Sequence, residues 1–207
     1  MTAGSFLRLF VRDGRGATAA EFALVLPLAL LFFFGIIDAG RLFLNLDRGE
    51  KATQIGARWA VVTDPIVPEL TTTSYVGKTV DGVTLTQGDR IPADALGLIT
   101  CNQTSCDCNP GPCPDNGVTR NGTAFDILLA RIQQIMPNIT ASNLIVEYRG
   151  SGLGYAGDPN GMEISPLVTV RIAGLTFSPL ILFGLNVTLP DFSYTLSMED
   201  GQGTESN

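Results

Sequence analysis

The stretch that decides the fold is residues 16–37, GATAAEFALVLPLALLFFFGII: small residues, one carboxylate at Glu21, then sixteen positions from Phe22 to Ile37 without a charge. Phe22–Ile37 alone is short for a hydrocarbon layer about 30 Å thick. Counted from Ala17 the segment has 21 residues, against the ~20 that a spanning helix needs. Glu21 then lies inside the membrane end of the helix. An ionised acid costs about 2.5–3.5 kcal/mol at a helix centre and less toward the interface, so an acid kept there points to function. A secretory signal peptide is the competing reading, because Arg8, Arg12 and Arg15 precede the apolar run. The sequence beyond the run does not fit it. Two residues before Ala39 stands Ile37, too large for a small-x-small cleavage site, and Arg41, Leu42 and Phe43 follow. Pro27 removes one helix hydrogen bond, as is tolerated in membrane helices.

Gly16 followed by Ala17, Thr18, Ala19, Ala20, Glu21 and Phe22 fits the G/xxxxEF pattern of type IV prepilin processing, in which the peptidase cuts after the Gly and Glu becomes the fifth mature residue. The segment RGATAAEFALVLPLALLFFFGIIDAGRLF, with the later run KATQIGARWAV, resembles the TadE family of pilin-like proteins from the tight-adherence (Flp) pilus system, over Arg15 to about Val62. Major pilins of that system more often carry Tyr where Phe22 stands, so the resemblance implies a minor subunit. It also implies a prepilin peptidase as processing partner, other pilin-like subunits and the assembly machinery as further partners, and a single pass through the bacterial inner membrane. The N-terminus would then be cytoplasmic and the C-terminal part periplasmic.

The chemistry of Glu21 can be argued without the family. A cut after Gly16 gives Ala17 a free α-amine, mostly charged at neutral pH. Ala17 and Glu21 are four apart and share a helix face. The ammonium can neutralise the carboxylate within one chain or between neighbours, and a paired buried charge is tolerated where a lone one is not.

Composition narrows the function. A chain of 207 residues with 45% hydrophobic and 16% charged residues is that of one globular domain with a membrane segment. Net charge is −7; residues 1–16 carry three Arg and one Asp, so their removal leaves 10 basic against 19 acidic residues, −9. Such a surface is a poor partner for nucleic acid. Histidine is absent, which removes the commonest general base and metal ligand. No catalytic residue, cofactor, metal or small-molecule substrate is expected. Basic residues flank both ends of the span (Arg8, Arg12, Arg15 against Arg41, Arg48, Lys51), so the positive-inside rule does not orient it. The cysteines place the large C-terminal part in an oxidising compartment.

Beyond the span the helix is expected to continue through Asp38 to Val62, in all 46 residues from Ala17, or roughly 70 Å. Asp64, Pro65 and Pro68 end it. Ala39, Leu42, Phe43, Leu46, Gly49, Thr53, Gly56, Ala57 and Ala60 form one stripe, and Leu44, Ile55, Trp59 and Val62 another side. Two apolar sides suggest two partners, the chain's own domain and a neighbouring subunit, or a single ordinary core.

Ile66–Val118 reads as irregular, with short strands over Thr71–Val76 and Lys78–Asp89. It contains all four cysteines, Cys101, Cys106, Cys108 and Cys113, within CNQTSCDCNPGPC. Structural zinc prefers paired knuckles from two separated places, so two disulfides stapling a loop are expected. Of the three connectivities, the one that pairs Cys106 with Cys108 closes a very tight ring and is disfavoured. Thr123–Met136 reads as a second helix with Thr123 as N-cap and Pro137 as stop. Alternating strands follow: Leu144, Val146, Tyr148; Val168, Val170, Ile172; Phe192, Tyr194, Leu196, Met198.

Gly152, Gly154 and Gly157 match G-x-G-x-x-G, but a turn at Asp158–Gly161 stands where the dinucleotide fingerprint needs a helix. Asp158, Asn160 and Glu163 lack EF-hand spacing for Ca²⁺. N-glycosylation sequons at Asn102, Asn121, Asn138 and Asn186 matter only in a eukaryotic secretory setting.

The expected fold class is α+β: a long N-terminal transmembrane helix extended outside the membrane, then a small antiparallel sheet with one or two packed helices and a disulfide-stapled loop. The expected organisation is a basic leader at 1–16, a transmembrane segment at 17–37, a helix continuation at 38–64, an α+β domain at 65–199 and a tail at 200–207. An uncut, membrane-anchored binding or adhesion domain is the alternative to a pilin-like subunit.

Overall fold

A computed structural model describes residues 17–159, 161–181, 184–198 and 201. The leader at 1–16 and all of the tail except Gly201 lie outside the described residues. The chain divides into two compact units, one formed by residues up to Leu44 with Phe177–Val187, the other by Asn45–Thr176 with residues from Thr188 onward. The fold is α+β, as its sequence implies.

Helix α1, Ala17–Ala60, runs 44 residues, with Pro27 inside it. It ends two residues before the expected Val62. The Thr63 hydroxyl donates to the Trp59 carbonyl at 2.9 Å, satisfying one of the open carbonyls of the last turn, and Pro65 prevents continuation. A short helix α2, Glu69–Thr72, replaces the strand expected over Thr71–Val76. Of the strands expected over Lys78–Asp89 there is a small ribbon, β1 Thr79–Val80 with β2 Val83–Thr84.

The second unit is organised by a five-stranded antiparallel sheet of order β4-β3-β5-β6-β9. Its strands are β3 Ile99–Cys101, β4 Cys106–Cys108, β5 Leu144–Arg149, β6 Leu167–Ile172 and β9 Phe192–Ser197. Register puts Val146 opposite Val170, Tyr148 opposite Val168, Leu144 opposite Ile172 and Ile172 opposite Phe192, so one face is continuously apolar. On the other face Thr169 and Thr195 hydroxyls meet at 2.7 Å, and Arg171 Nη2 donates to Glu147 Oε1 at 2.9 Å. Two further strands, β7 Thr176–Phe177 and β8 Val187–Thr188, form a separate ribbon.

Helix α3, Gly122–Gln133, buries Phe125, Leu128 and Ile132. Asn121, and not the expected Thr123, is its N-cap: its side chain accepts the Ala124 N–H at 3.2 Å. Asparagine serves this role as well as threonine, and its own N–H donates to the Ile66 carbonyl at 2.7 Å, which sets where the helix starts. The lower part of α1 covers the apolar face. A Cβ at Gly56 would lie 3.0 Å from Ile132 Cδ1 and 3.2 Å from Val170 Cγ1, and one at Gly49 would lie 2.5 Å from Phe192 Cε2. Only glycine lets the helix backbone come this close to the side chains it covers. Tyr148 reaches from β5 to accept the Ile66 N–H on its hydroxyl at 3.0 Å; burial pushes the phenol pKa up, and that hydrogen bond only partly offsets it.

The cysteine stretch is not the isolated loop expected from sequence. Cys101 and Cys106 are a cross-strand pair in the β3–β4 hairpin, both buried. The reason is that Ile99 and Cys101 pair with Tyr148 and Val146 of β5, so strands far along the chain give this segment a sheet to join. The glycine-rich stretch at 152–157 is a turn region, with φ of +76° at Gly152, +114° at Gly154 and +74° at Gly157, and a Cβ at Gly154 would stand 2.2 Å from the Glu163 carbonyl oxygen. A helix N-terminus, and hence a dinucleotide cradle, does not form there.

Candidate membrane and assembly segment

Residues 17–37 of α1 are mostly Ala, Leu and Phe, the first two among the strongest helix formers. At 1.5 Å per residue they extend about 31 Å, the thickness of a hydrocarbon layer. The large side chains point outward on all sides: Leu24 is 76% exposed, Leu28 68%, Phe32 67% and Phe22 63%. The helix is long and apolar enough to cross a membrane, and none of its most apolar stretch is buried by the chain itself. A helix apolar all round and uncovered by its own protein requires an apolar surrounding. Glu21 is exposed, one helical turn beyond Ala17, while Gly16 lies outside the described residues. Of the residues expected at a processing site, Ala17, Glu21 and Phe22 lie in the first described turns of this helix.

Asp38, the first residue after the apolar run, was not singled out in the sequence and proves to be an organising group. Its side chain is buried. Oδ2 accepts the Leu180 N–H at 2.7 Å and the Ile181 N–H at 3.0 Å, and Oδ1 pairs with Arg41 Nη1 at 3.0 Å. A buried carboxylate is tolerated when its lone pairs are taken up by donors and an opposite charge. Arg41 also lies over the Phe177 ring, 5.2 Å from its centroid. A signal for this was present: residues 177–187 read FSPLILFGLNV, apolar and uncharged, yet too long and too proline- and glycine-interrupted to read as one strand.

The expected stripe splits. Gly49, Thr53, Gly56, Ala57 and Ala60 are buried, together with Ala52, whereas Ala39 and Phe43 are exposed. The other side splits as well: Leu44 is exposed, and the Trp59 ring lies under the Arg131 guanidinium of α3 at 5.4 Å.

All four cysteines are oxidised, as Cys101–Cys106 and Cys108–Cys113 with Cα separations of 4.0 and 5.9 Å. The adjacent pairing is the one in which the hairpin register places Cys101 opposite Cys106. Among the described residues no group of three His, Cys, Asp or Glu is gathered for a metal. Of the residues weighed for Ca²⁺, Glu163 accepts the Tyr75 N–H at 2.7 Å, and Asn160 lies outside the described residues.

This geometry defines a class: among the described residues, one apolar helix near the N-terminus, long enough to cross a bilayer, joined in sequence to a disulfide-containing α+β unit. Residues 16–58 match the family model described as TadE-like protein, the family that the residues from Arg15 resemble, and over this helix the chain is similar to pilin-like proteins associated with the Tad pilus. No curated protein and no solved structure matches the chain.

Proposed function

We propose that the chain is a pilin-like minor subunit of Flp/Tad pilus assembly and adhesion, a non-enzymatic membrane protein cut by a prepilin peptidase between Gly16 and Ala17, with its α+β unit in the periplasm. The observation that carries this reading is a helix whose 28 residues from Ala17 to Leu44 leave large apolar side chains uncovered, preceded by Gly16 with Glu21 one turn in. The family match, which begins at Gly16, supports it, and so do the disulfides, which suit an oxidising compartment. The absence of histidine favours a structural over a catalytic role.

In this role the segment 17–37 holds the subunit in the inner membrane until assembly withdraws it. The new Ala17 ammonium pairs with Glu21 of a neighbouring subunit, and lipid contacts of the apolar side chains are exchanged for contacts between helices.

Two measurements test the reading. N-terminal sequencing of protein extracted from cells with active prepilin peptidase should begin at Ala17; recovery of protein that still carries residues 1–16 would falsify processing and favour an uncut, membrane-anchored binding domain. Glu21→Gln protein should be made, inserted and cut normally but fail to support piliation, because removing one member of a buried charge pair costs about 3–5 kcal/mol. Normal piliation by the mutant refutes the pairing.

A further inference from the structure

Residues 177–181 and 184–187, on either side of the β7–β8 excursion, are apolar, and within the unit that includes the upper part of α1 the first of these stretches is fastened to that helix. Both backbone N–H groups at Leu180 and Ile181 donate to Asp38. Ile181 Cδ1 lies 3.5 Å from the position a Cβ would take on Gly35, so this side chain packs beside the last turn of the apolar span. Three described side chains of the excursion face outward: Leu180, Leu185 and Val187 are exposed, as are the span residues Phe34 and Ile37.

We propose that this excursion is a second membrane-contacting element, lying in the headgroup and acyl-chain boundary of the leaflet at the Asp38 end of the span. Three features fit a lipid surface. The exposed side chains of the excursion continue the apolar surface of the span, which defines where the hydrocarbon begins. Backbone N–H groups that dip to the acyl-chain side of that boundary need an acceptor from the protein, since hydrocarbon offers none, and Asp38 supplies it to two of them. Arg41 balances the Asp38 charge from 3.0 Å, so the carboxylate is not a lone charge at that depth. Ser178 Oγ donates to Asn186 Oδ1, so two polar side chains of the excursion also satisfy one another. The excursion would thereby fix how deep the span sits and resist its withdrawal.

This inference rests on the reading of residues 17–37 as a membrane span, so the experiment tests both separately. The full chain is reconstituted in phosphatidylethanolamine–phosphatidylglycerol vesicles doped with lipid brominated either high or low on the acyl chain. Leu185→Trp and, as a second position, Leu180→Trp report the excursion, Leu28→Trp reports the middle of the span, and the unsubstituted protein with Trp59 supplies the background. Leu185→Trp and Leu180→Trp are expected to lose fluorescence to the shallow bromolipid more than to the deep one, and Leu28→Trp the reverse. If Leu28→Trp is quenched and both excursion variants are not, the proposal is overturned and the span stands. If none is quenched, both fall. Blue-shifted but unquenched emission that varies with the protein-to-lipid ratio would show a second copy covering the excursion, which also overturns the proposal.

Discussion

The two ends of helix α1 share a backbone conformation and differ in almost everything else. Up to Leu44 the residues facing outward are large, and Leu24, Leu28, Phe32 and Phe43 are all more than half exposed. From Gly49 on, the inward residues are small: Gly49, Ala52, Gly56 and Ala57 are buried, Gly49 against Phe192 of β9 and Gly56 against Ile132 of α3 and Val170 of β6. Hydrophobic content alone therefore does not say what a helix face is for. Large apolar residues on every side suit a fluid surrounding that adapts to them, whereas glycine and alanine on one side suit a fixed surface that must be approached closely.

The strongest way to break this comparison is in the folded core of the second unit. Ile132→Ala removes a fully buried side chain that packs on Gly56, and should lower stability by about 2–5 kcal/mol, read by denaturant unfolding of the detergent-solubilised protein. Leu28→Ala, in the exposed part of α1, should leave the same unfolding curve in place, and a comparable loss there would show that the upper helix is covered by its own chain after all.

Substitution of glycines sharpens the contrast. Gly56→Leu must displace Ile132 and Val170, and overpacking of this kind typically costs about 1–3 kcal/mol. Gly40 has nothing within 4 Å of its Cβ position, so Gly40→Leu should be neutral or slightly stabilising through helix propensity. If Gly40→Leu leaves stability intact and yet blocks piliation, Gly40 marks a contact made only in the assembled state.

Tyr148→Phe should cost about 1–3 kcal/mol, because the buried Ile66 N–H is left without its acceptor. Since burial raises the phenol pKa, that bond is present through neutral pH, and the mutational difference should stay constant from pH 6 to about pH 9.

The smallest effect is expected at Asp89, in a surface turn. The Thr86 backbone N–H and then its hydroxyl donate to Oδ2, both at 2.7 Å, and hold the carboxyl below its ordinary range against a lesser desolvation. A lowered folded pKa contributes stability that is present above the unfolded value near 3.9 and lost as pH falls through the folded one. The difference in thermal midpoint between wild type and Asp89→Asn should therefore shrink as pH drops below about 4, while a difference that grows would reverse the assignment.

Much of this was legible in the residues. The apolar segment and its acid follow from an uninterrupted uncharged run, and the burial of Gly49, Gly56 and Ala60 and the inward faces of β5, β6 and β9 follow from periods of 3.6 and 2 that chain geometry imposes on any helix or strand. The Cys101–Cys106 hairpin was not legible as a strand pair, because three-residue strands carry too little pattern and its partner β5 lies some forty residues further on. Asn121 was passed over as N-cap for the same reason, since its choice depends on the Ile66 carbonyl, which only the fold brings near.

By itself, then, the sequence determined that the first helix carries an uninterrupted apolar run, that Glu21 stands just ahead of it, and that two-faced strands follow later in the chain, since all three are properties of neighbouring residues. Only the tertiary structure decided what Asp38 does and where residues 177–181 and 184–187 go. A carboxylate and two backbone N–H groups separated by more than 140 positions carry no periodic mark of one another, and their meeting is a consequence of chain return, which no local pattern encodes.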